Sequence, residues 1–273
     1  MGGRATTITG WSAAALIALA GAVEAEFITV QSTTSTQNSG LLDAILPAFT
    51  QASGIEVRVI AVGTGQAIRN AINGDGDVLL VHARAAEEAF VTEGWGVQRF
   101  DVMYNDFVIV GPRMDPAGIA GGRDVVAAFE AIASQAHPFA SRGDDSGTHK
   151  AELTHWASAG IDVAAVSGRW YRETGSGMGA TLNTAIGMMA YAMTDRATWV
   201  AFGNKADHAV LVEGDARLFN PYGVILVNPG RHPHVKAEAG QAFIDWLTGA
   251  EGQAAIAAFR VDGQQVFFPN ADR

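Results

Sequence analysis

The densest group of chemically active residues is the segment 141–149, which reads SRGDDSGTH. It places the guanidinium of Arg142, several hydroxyl groups and two glycines just before a helical pattern at 148–159. The first N–H groups of a helix have no intrahelical partner, and the aligned peptide dipoles make that end electropositive. Glycine lets the backbone approach a ligand closely, and arginine adds a permanent charge in a planar fork. The segment therefore predicts a socket for a small tetrahedral oxyanion.

Three other predicted strand-to-helix junctions carry the same residue types. Residues 32–40 are a run of hydroxyl side chains before a helix, residues 62–65 read VGTG, and residues 175–181 read GSGMGAT. Ligands of open α/β sheets bind at the carboxyl ends of strands, where such turns lie. Helix capping favours the same residue types, but several junctions together with Arg142 make capping an insufficient explanation. Three helix starts, each worth about half a positive charge, would with Arg142 offset a dianion.

The elements that must position these junctions alternate between strands and helices. This order predicts an α/β fold with two lobes, each a mostly parallel sheet with helices on both faces. The predicted strands are 27–32, 56–62, 78–82, 107–110, 138–141, 190–194, 209–212 and 224–227. The predicted helices are 40–52, 66–73, 85–93, 123–134, 148–159, 179–189, 196–202, 235–247 and 253–259. Crossovers near 103–107 and 220–224 would join the lobes, with the ligand cleft between them.

The N-terminal 25 residues are typical of a secretory signal peptide. Arg4 precedes an apolar run at 11–23 that is too short to span a bilayer, and cleavage is expected after Ala25. We therefore expect a periplasmic protein. Its first lobe would hold residues 26–106 and 224–273, and its second lobe residues 107–223.

Composition excludes several function classes. The 273 residues carry a formal net charge of −10, which argues against nucleic acid or an anionic membrane as a partner. The absence of cysteine excludes disulfides, thiolate metal sites and a lipidated N-terminal cysteine. The seven histidines lack metal-ligand spacing, so we expect neither a cation site nor a cofactor. An anion must be captured by local geometry, because the overall field repels it.

Several segments resemble the periplasmic tungstate-binding components of Tup-type ABC transporters. They are TTST at 33–36 with NSGLL at 38–42, DVLLVHA at 77–83, MYNDFVIVGP at 103–112, the 141–149 segment and NPY at 220–222. The segments follow the order of that family across the predicted mature chain. The resemblance implies a type II periplasmic binding fold that closes on tungstate or molybdate. It also implies delivery to a membrane permease powered by an ATPase, and we expect the carrier to be a monomer.

Carried over residue by residue, the resemblance implies ligand contacts from both lobes. The expected ligand-binding residues are Thr34, Ser35, Thr64, Ser141, Arg142, Ser146, Thr148 and Thr181. Their N–H and O–H donors would replace the water shell of the anion as the lobes close. Each buried donor that a wrong-sized anion leaves unpaired costs about 1–3 kcal/mol, so a rigid donor shell discriminates by size.

The residues also admit other carriers and a hydrolase. Phosphate keeps a proton at neutral pH and needs an acceptor, for which Asp144 or Asp145 would serve; sulfate needs none. We expect both aspartates instead to cap the helix outside the cavity. A secreted serine hydrolase would pair Ser146 with His149, but the Gly-x-Ser-x-Gly elbow is absent, and the two residues lie three apart at a helix start. No enzymatic activity is expected.

Overall fold

The computed structural model describes residues 1–3 and 26–271, and in these residues strands and helices alternate as the sequence predicts. The predicted signal peptide lies almost entirely outside the described residues. The strands are β1 (Phe27–Thr33), β2 (Glu56–Val62), β3 (Val78–Val81), β4 (Gly96–Pro112), β5 (Phe139–Ser141), β6 (Tyr171–Glu173), β7 (Ala192–Asp195), β8 (His208–Val212), β9 (Phe219–Val227) and β10 (Phe268–Pro269). The helices are α1 (Thr34–Asn38), α2 (Leu41–Ser53), α3 (Thr64–Asn73), α4 (Arg84–Thr92), α5 (Val125–Ser134), α6 (Gly147–Ser158), α7 (Met178–Gly187), α8 (Arg196–Ala201), α9 (Ala237–Thr248) and α10 (Ala250–Ala258).

The first lobe is built on a sheet whose strands follow the order β10-β4-β9-β3-β1-β2. Strand β1 pairs in parallel with β2 and β3, as strands joined by crossover helices do. All four residues of β3 are buried, which is typical of a strand covered on both faces. The carboxyl ends of β1 and β2 lead directly into α1 and α3, so two of the predicted junctions lie at one edge of the sheet.

Two long strands carry the chain between the lobes. Strand β4 has 17 residues and runs antiparallel to β9, with Asn105 opposite Asn220 and Tyr104 opposite Pro221. Its second half pairs antiparallel with β7 and β8, while β5 and β6 form a separate parallel pair. The sheet is therefore mixed and not mostly parallel as predicted, with parallel pairing in the crossover units and antiparallel pairing along the long strands that link the lobes.

The packing of the second half of β4 shows why the second lobe is also layered. Successive side chains of a strand point to opposite faces. Phe107 and Ile109 belong to one buried cluster, and Val108 and Val110 belong to another. A third, larger cluster fills the first lobe. Both faces of the sheet are thus covered, and the two-lobe α/β prediction is confirmed.

The differences from prediction have local causes. The polar residues 34–38 form helix α1, capped by the Thr33 side chain, although the segment has no apolar periodicity. Strand β4 begins at Gly96 instead of 107, and β9 begins at Phe219 instead of 224, because their polar residues obscure the strand pattern. Within the described residues, no helix has the length and apolar character needed to cross a membrane.

Candidate oxyanion-binding site

Four helix starts surround the space between the lobes, and they differ in how they are capped. The Thr33 side chain caps α1, and the Ser146 hydroxyl accepts from the His149 backbone N–H at 3.2 Å to cap α6. Helices α3 and α7 follow Gly63 and Gly177, which have no capping side chain. The first N–H groups of α3 and α7 are therefore not occupied by a side chain of their own cap residue.

Arg142 joins the two sides of this space. Its side chain is buried, and Nη1 donates to Ser35 Oγ at 3.2 Å across the cleft. Nη2 donates to Asp144 Oδ2 at 2.5 Å, which forms an ion pair within the second lobe. The backbone carbonyl of Arg142 accepts from Ser176 N–H at 3.3 Å, just ahead of α7. The Thr174 hydroxyl also donates a hydrogen bond to this carbonyl. These contacts fix the guanidinium between the lobes.

A second contact between the lobes joins two helix starts. Gly147 N–H, at the start of α6, donates to Thr64 Oγ1, at the start of α3, at 2.9 Å. A side chain at 147 would be crowded, because a Cβ there would lie 3.1 Å from His82 Cε1 and 3.2 Å from His82 O. A cavity of about 260 Å³ opens beside this contact and is lined in part by His82, Gly147 and Asn220. The close approach places both helix starts at one site.

Two buried groups in this region lack the partners that burial usually demands, and a third, Ser141, has a single partner. Thr148 Oγ1 and Arg142 Nε have no hydrogen-bond partner among the described residues. Ser141 is fully buried, and its Oγ lies 2.9 Å from Tyr171 OH. An unsatisfied buried donor costs about 1–3 kcal/mol. Oxygen atoms of an anion would satisfy these groups, so the arrangement fits an oxyanion better than an apolar ligand.

The other predicted residues occupy different positions. Thr34 is half-buried at the first position of α1. Ser146 acts as the α6 cap, as described above. Thr181 Oγ1 lies 2.7 Å from Thr174 Oγ1 and donates toward Gly177 O at 3.2 Å, inside the first turn of α7. Thr181 is therefore held by its own helix start, and its role as a ligand residue stays a prediction.

A polar network that the sequence did not reveal lies under the first-lobe side. The His82 ring stacks on Tyr222, with centroids 4.8 Å apart, and Nδ1 lies 3.1 Å from Asn220 Oδ1. Asn220 Nδ2 donates to Asn105 Oδ1 at 2.6 Å. Burial lowers the pKa of His82 to about 4, and the nearby charge of Arg142 acts in the same direction. His82 is thus neutral at neutral pH.

Carboxyl groups on the second-lobe side are engaged with the protein itself. Asp144 Oδ1 accepts from Ser146 N–H at 3.2 Å while Oδ2 holds Arg142. Asp144 therefore accepts a backbone N–H as expected and also pairs with Arg142, and its place outside the cavity stays a prediction. Asp195 caps α8, accepting from the Thr198 N–H at 2.8 Å and hydroxyl at 2.6 Å. Burial raises the pKa of Asp195, while these hydrogen bonds and the Arg142 charge oppose the rise.

Comparison with known proteins shows the family to which the chain belongs. The family model described as the PBP superfamily domain matches residues 18–251. The tungstate-binding protein TupA of Peptoclostridium acidaminophilum is 46% identical over 248 residues, which cover 89% of this chain and 86% of that protein. The chain belongs to the TupA family of the PBP superfamily. The resemblance drawn from the sequence is confirmed.

Two solved structures of this family superpose on the chain. TupA from Desulfovibrio alaskensis G20 is 45% identical, with a TM-score of 0.80 over 91% of this chain and 100% of that one. A structure described as the tungstate ABC transporter from Geobacter sulfurreducens is 49% identical, with a TM-score of 0.78 over 86% and 99%. The TupA fold is thus shared over nearly the whole described chain.

Membership of the TupA family also answers the hydrolase alternative, because the family comprises substrate-binding proteins and not enzymes. The geometry agrees. Ser146 Oγ accepts from the His149 backbone, while His149 Nδ1 accepts from Asp145 N–H at 3.1 Å, so the imidazole is not paired with the hydroxyl. Asp145 forms an ion pair with Lys150 on the surface. Among the described residues, no group of three His, Cys, Asp or Glu side chains could hold a metal cation.

Proposed function

We propose that this protein is the solute-binding component of an ABC transporter and that it captures tungstate, or the similar molybdate, by closing its lobes. The observation that carries the proposal is the buried Arg142, whose guanidinium reaches Ser35 of the first lobe and retains an Nε–H without a partner. Names of relatives support the same ligand, since two are tungstate-binding proteins. The ligand's metal would be held through its oxygen atoms only.

Each group in the site has a role in this proposal. Arg142 would donate to the anion and offset part of its charge, as charge-assisted hydrogen bonds are stronger than neutral ones. Ser35 and Thr64 would donate hydroxyl protons from the first lobe. Ser141 and Thr148 would donate from the second lobe, beside the electropositive start of α6. Thr34, Ser146 and Thr181 remain proposed contacts of secondary weight.

The pattern of acceptors argues against phosphate as the cargo. A phosphate that keeps a proton needs a free acceptor in the site. Asp144 already accepts from Arg142 and Ser146, and Asp195 accepts twice from Thr198. The unpartnered Arg142 Nε–H is a donor only. The engagement of both carboxyl groups by the protein favours an anion that carries no proton at neutral pH, such as tungstate or molybdate.

The setting of this function follows from the same proposal. The carrier would act in the periplasm after cleavage behind Ala25 and pass its cargo to a permease with a cytoplasmic ATPase. It would act as a monomer with lobes at 26–106 with 224–273 and at 107–223. The strands β4 and β9, which run through both lobes, support a hinge near residues 103–107 and 219–224.

Calorimetric titration tests the proposal directly. The chain from residue 26 to 273 is titrated with tungstate, and molybdate, sulfate and phosphate are then added as competitors. We expect one tungstate per chain, displaced by molybdate and not by phosphate. Binding of phosphate alone would assign the site to a phosphate carrier, and heat with none of the four anions would show that the hydroxyl groups serve only as helix caps.

A further inference from the structure

Glu152 is a buried carboxyl group that the proposed contacts do not use. It lies in α6 with 1% of its surface exposed, and no basic side chain of the described residues pairs with it. Its Oε1 lies 2.8 Å from Tyr171 OH and accepts from Trp156 Nε1 at 3.1 Å. Tyr171 OH in turn lies 2.9 Å from Ser141 Oγ. A continuous hydrogen-bonded chain thus runs from Glu152 to a proposed ligand residue.

The number of protons in this series of hydrogen bonds decides in which direction the bonds donate. Tyr171 has a single hydroxyl proton, yet it lies within reach of both Glu152 and Ser141. If Glu152 is ionised, Tyr171 donates to it, and Ser141 then donates to Tyr171 and turns a lone pair toward the cleft. If Glu152 is protonated on Oε1, the oxygen beside Tyr171, it donates to Tyr171, which donates to Ser141. The Ser141 O–H is then free to donate to a ligand.

We propose that Glu152 is a positioning residue whose proton directs the chain Glu152–Tyr171–Ser141 toward the cleft, so that an unprotonated oxyanion binds only the form in which Glu152 is neutral. This inference rests on the proposed function and adds a pH dependence to it. Ser141 would contact an oxygen of the anion, and Glu152 would act through Tyr171 without touching the ligand. Ionisation of Glu152 would also add a buried negative charge behind the site.

The surroundings of Glu152 favour its neutral form. Burial raises its pKa to about 8, although the hydrogen bonds from Tyr171 and Trp156 oppose the rise. Burial also raises the pKa of Tyr171, so the tyrosine stays protonated throughout the working range. The neutral carboxyl is therefore the main form at pH 7 and is lost as the pH rises through about 8.

Other charged groups around α6 do not account for a change in affinity between pH 7 and pH 9. On α6 itself, burial lowers the pKa values of His149 and His155, so both are already neutral above pH 7. Strand β6 contributes the exposed Glu173, and β7 contributes Asp195. Arg142 keeps its charge at every pH considered. Helix α5 faces this region with apolar side chains such as Phe129, which packs on Trp156.

The test compares tungstate affinity at pH 7 and pH 9 by calorimetry in the mature chain, where the free anion carries no proton at either pH. If only the protonated form binds, Kd rises about tenfold between these values, because the competent fraction falls through a pKa of about 8. Glu152→Gln keeps a neutral donor toward Tyr171, so its Kd ratio between the two pH values should be about one. Glu130→Gln, a control at an exposed acid of α5 whose charge does not shift the Glu152 pKa, should keep the wild-type ratio.

A second readout needs no variant. Wild-type titrations at pH 9 in two buffers with different ionisation enthalpies give the number of protons taken up on binding. We expect close to one proton per tungstate, because binding must protonate Glu152. Equal pH dependence in wild type and Glu152→Gln, or no proton uptake at pH 9, would overturn the inference while leaving the carrier function intact. Absence of tungstate binding at pH 7 would overturn the carrier function and the inference together.

Discussion

In the proposed site, the two sides of the cleft would recognise an anion by different means. The first-lobe side presents neutral groups, the hydroxyls of Ser35 and Thr64 and the neutral ring of His82. The second-lobe side presents the ion pair of Arg142 with Asp144. The charged donor is thus in one lobe, and the other lobe completes the set of donors with hydroxyl groups. Closure brings neutral dipoles to a charged centre and never opposes two like charges.

The layers beneath the two sides differ in the same way. Under the first lobe lies a network of neutral groups in which Asn105, Asn220 and Tyr222 surround His82. Behind the second lobe lies the buried carboxyl of Glu152, whose charge depends on pH. Substitutions on the second side should therefore change affinity most and also change its pH dependence, whereas first-lobe substitutions should weaken closure more mildly.

The largest loss is expected for Arg142→Ala. The substitution removes charge-assisted hydrogen bonds worth about 1.5–3 kcal/mol, so Kd for tungstate should rise roughly 10- to 150-fold. Titration calorimetry measures the change. Arg172→Ala removes an exposed arginine of the same lobe and should leave Kd within about twofold. An Arg142→Ala protein that binds as tightly as the wild type would contradict the division between charged and neutral sides.

Gly147→Ala should cause the next largest loss. The added methyl group would press on the ring and carbonyl of His82 in the opposite lobe. Overpacking of this kind costs about 1–3 kcal/mol, which corresponds to a rise in Kd of roughly 5- to 150-fold. Gly187→Ala, where a Cβ meets open space, is the matched control. The increase in unfolding midpoint on adding tungstate should shrink for Gly147→Ala only; an equal increase in both variants would show that the lobes tolerate the methyl group.

The smallest of the three effects is expected on the neutral side. Thr64→Val removes the acceptor of the Gly147 N–H, a neutral hydrogen bond worth about 0.5–1.5 kcal/mol, so Kd should rise roughly two- to tenfold. Thr64→Ser keeps the hydroxyl and should recover most of the affinity. A loss in Thr64→Val that exceeds the loss in Arg142→Ala, measured by the same titration, would reverse the proposed roles of the lobes.

The sequence predicted the fold where apolar periodicity is strong. Strand β2 and helices α2 and α9 lie within two residues of their predicted bounds, because both helices have a buried apolar face and β2 alternates between exposed and half-buried residues. The first half of β4 was missed, since GVQRFDVMYND alternates poorly and its hydrogen bonds come from a distant strand. Helix α1 was missed for a similar reason: five polar residues form a helix only because a cap and the sheet edge hold them.

The sequence predicted only those parts of the site that a local residue pattern indicates. Hydroxyls and glycine before a helix marked Thr64 and Arg142, and the structure joins their segments across the cleft. Glu152 could not be recognised, because a glutamate in a polar helix normally faces water. Its link to Ser141 depends on Tyr171, which is distant from both in sequence. The direct ligand contacts therefore stay predictions that titration of variants can decide.

The ion pair of Arg142 with Asp144 bears on how cargo leaves. A carrier must release its cargo as well as bind it. Release of the anion would leave a buried guanidinium without a counter-ion, which is energetically unfavourable. Asp144 removes that obstacle, because it stands 2.5 Å away as a permanent internal counter-ion. In the proposed site it would compete with the cargo for the same charge and so lower the barrier to dissociation at some expense in affinity. We therefore expect Asp144 to shorten the residence time of the cargo, the quantity on which turnover of a transporter depends.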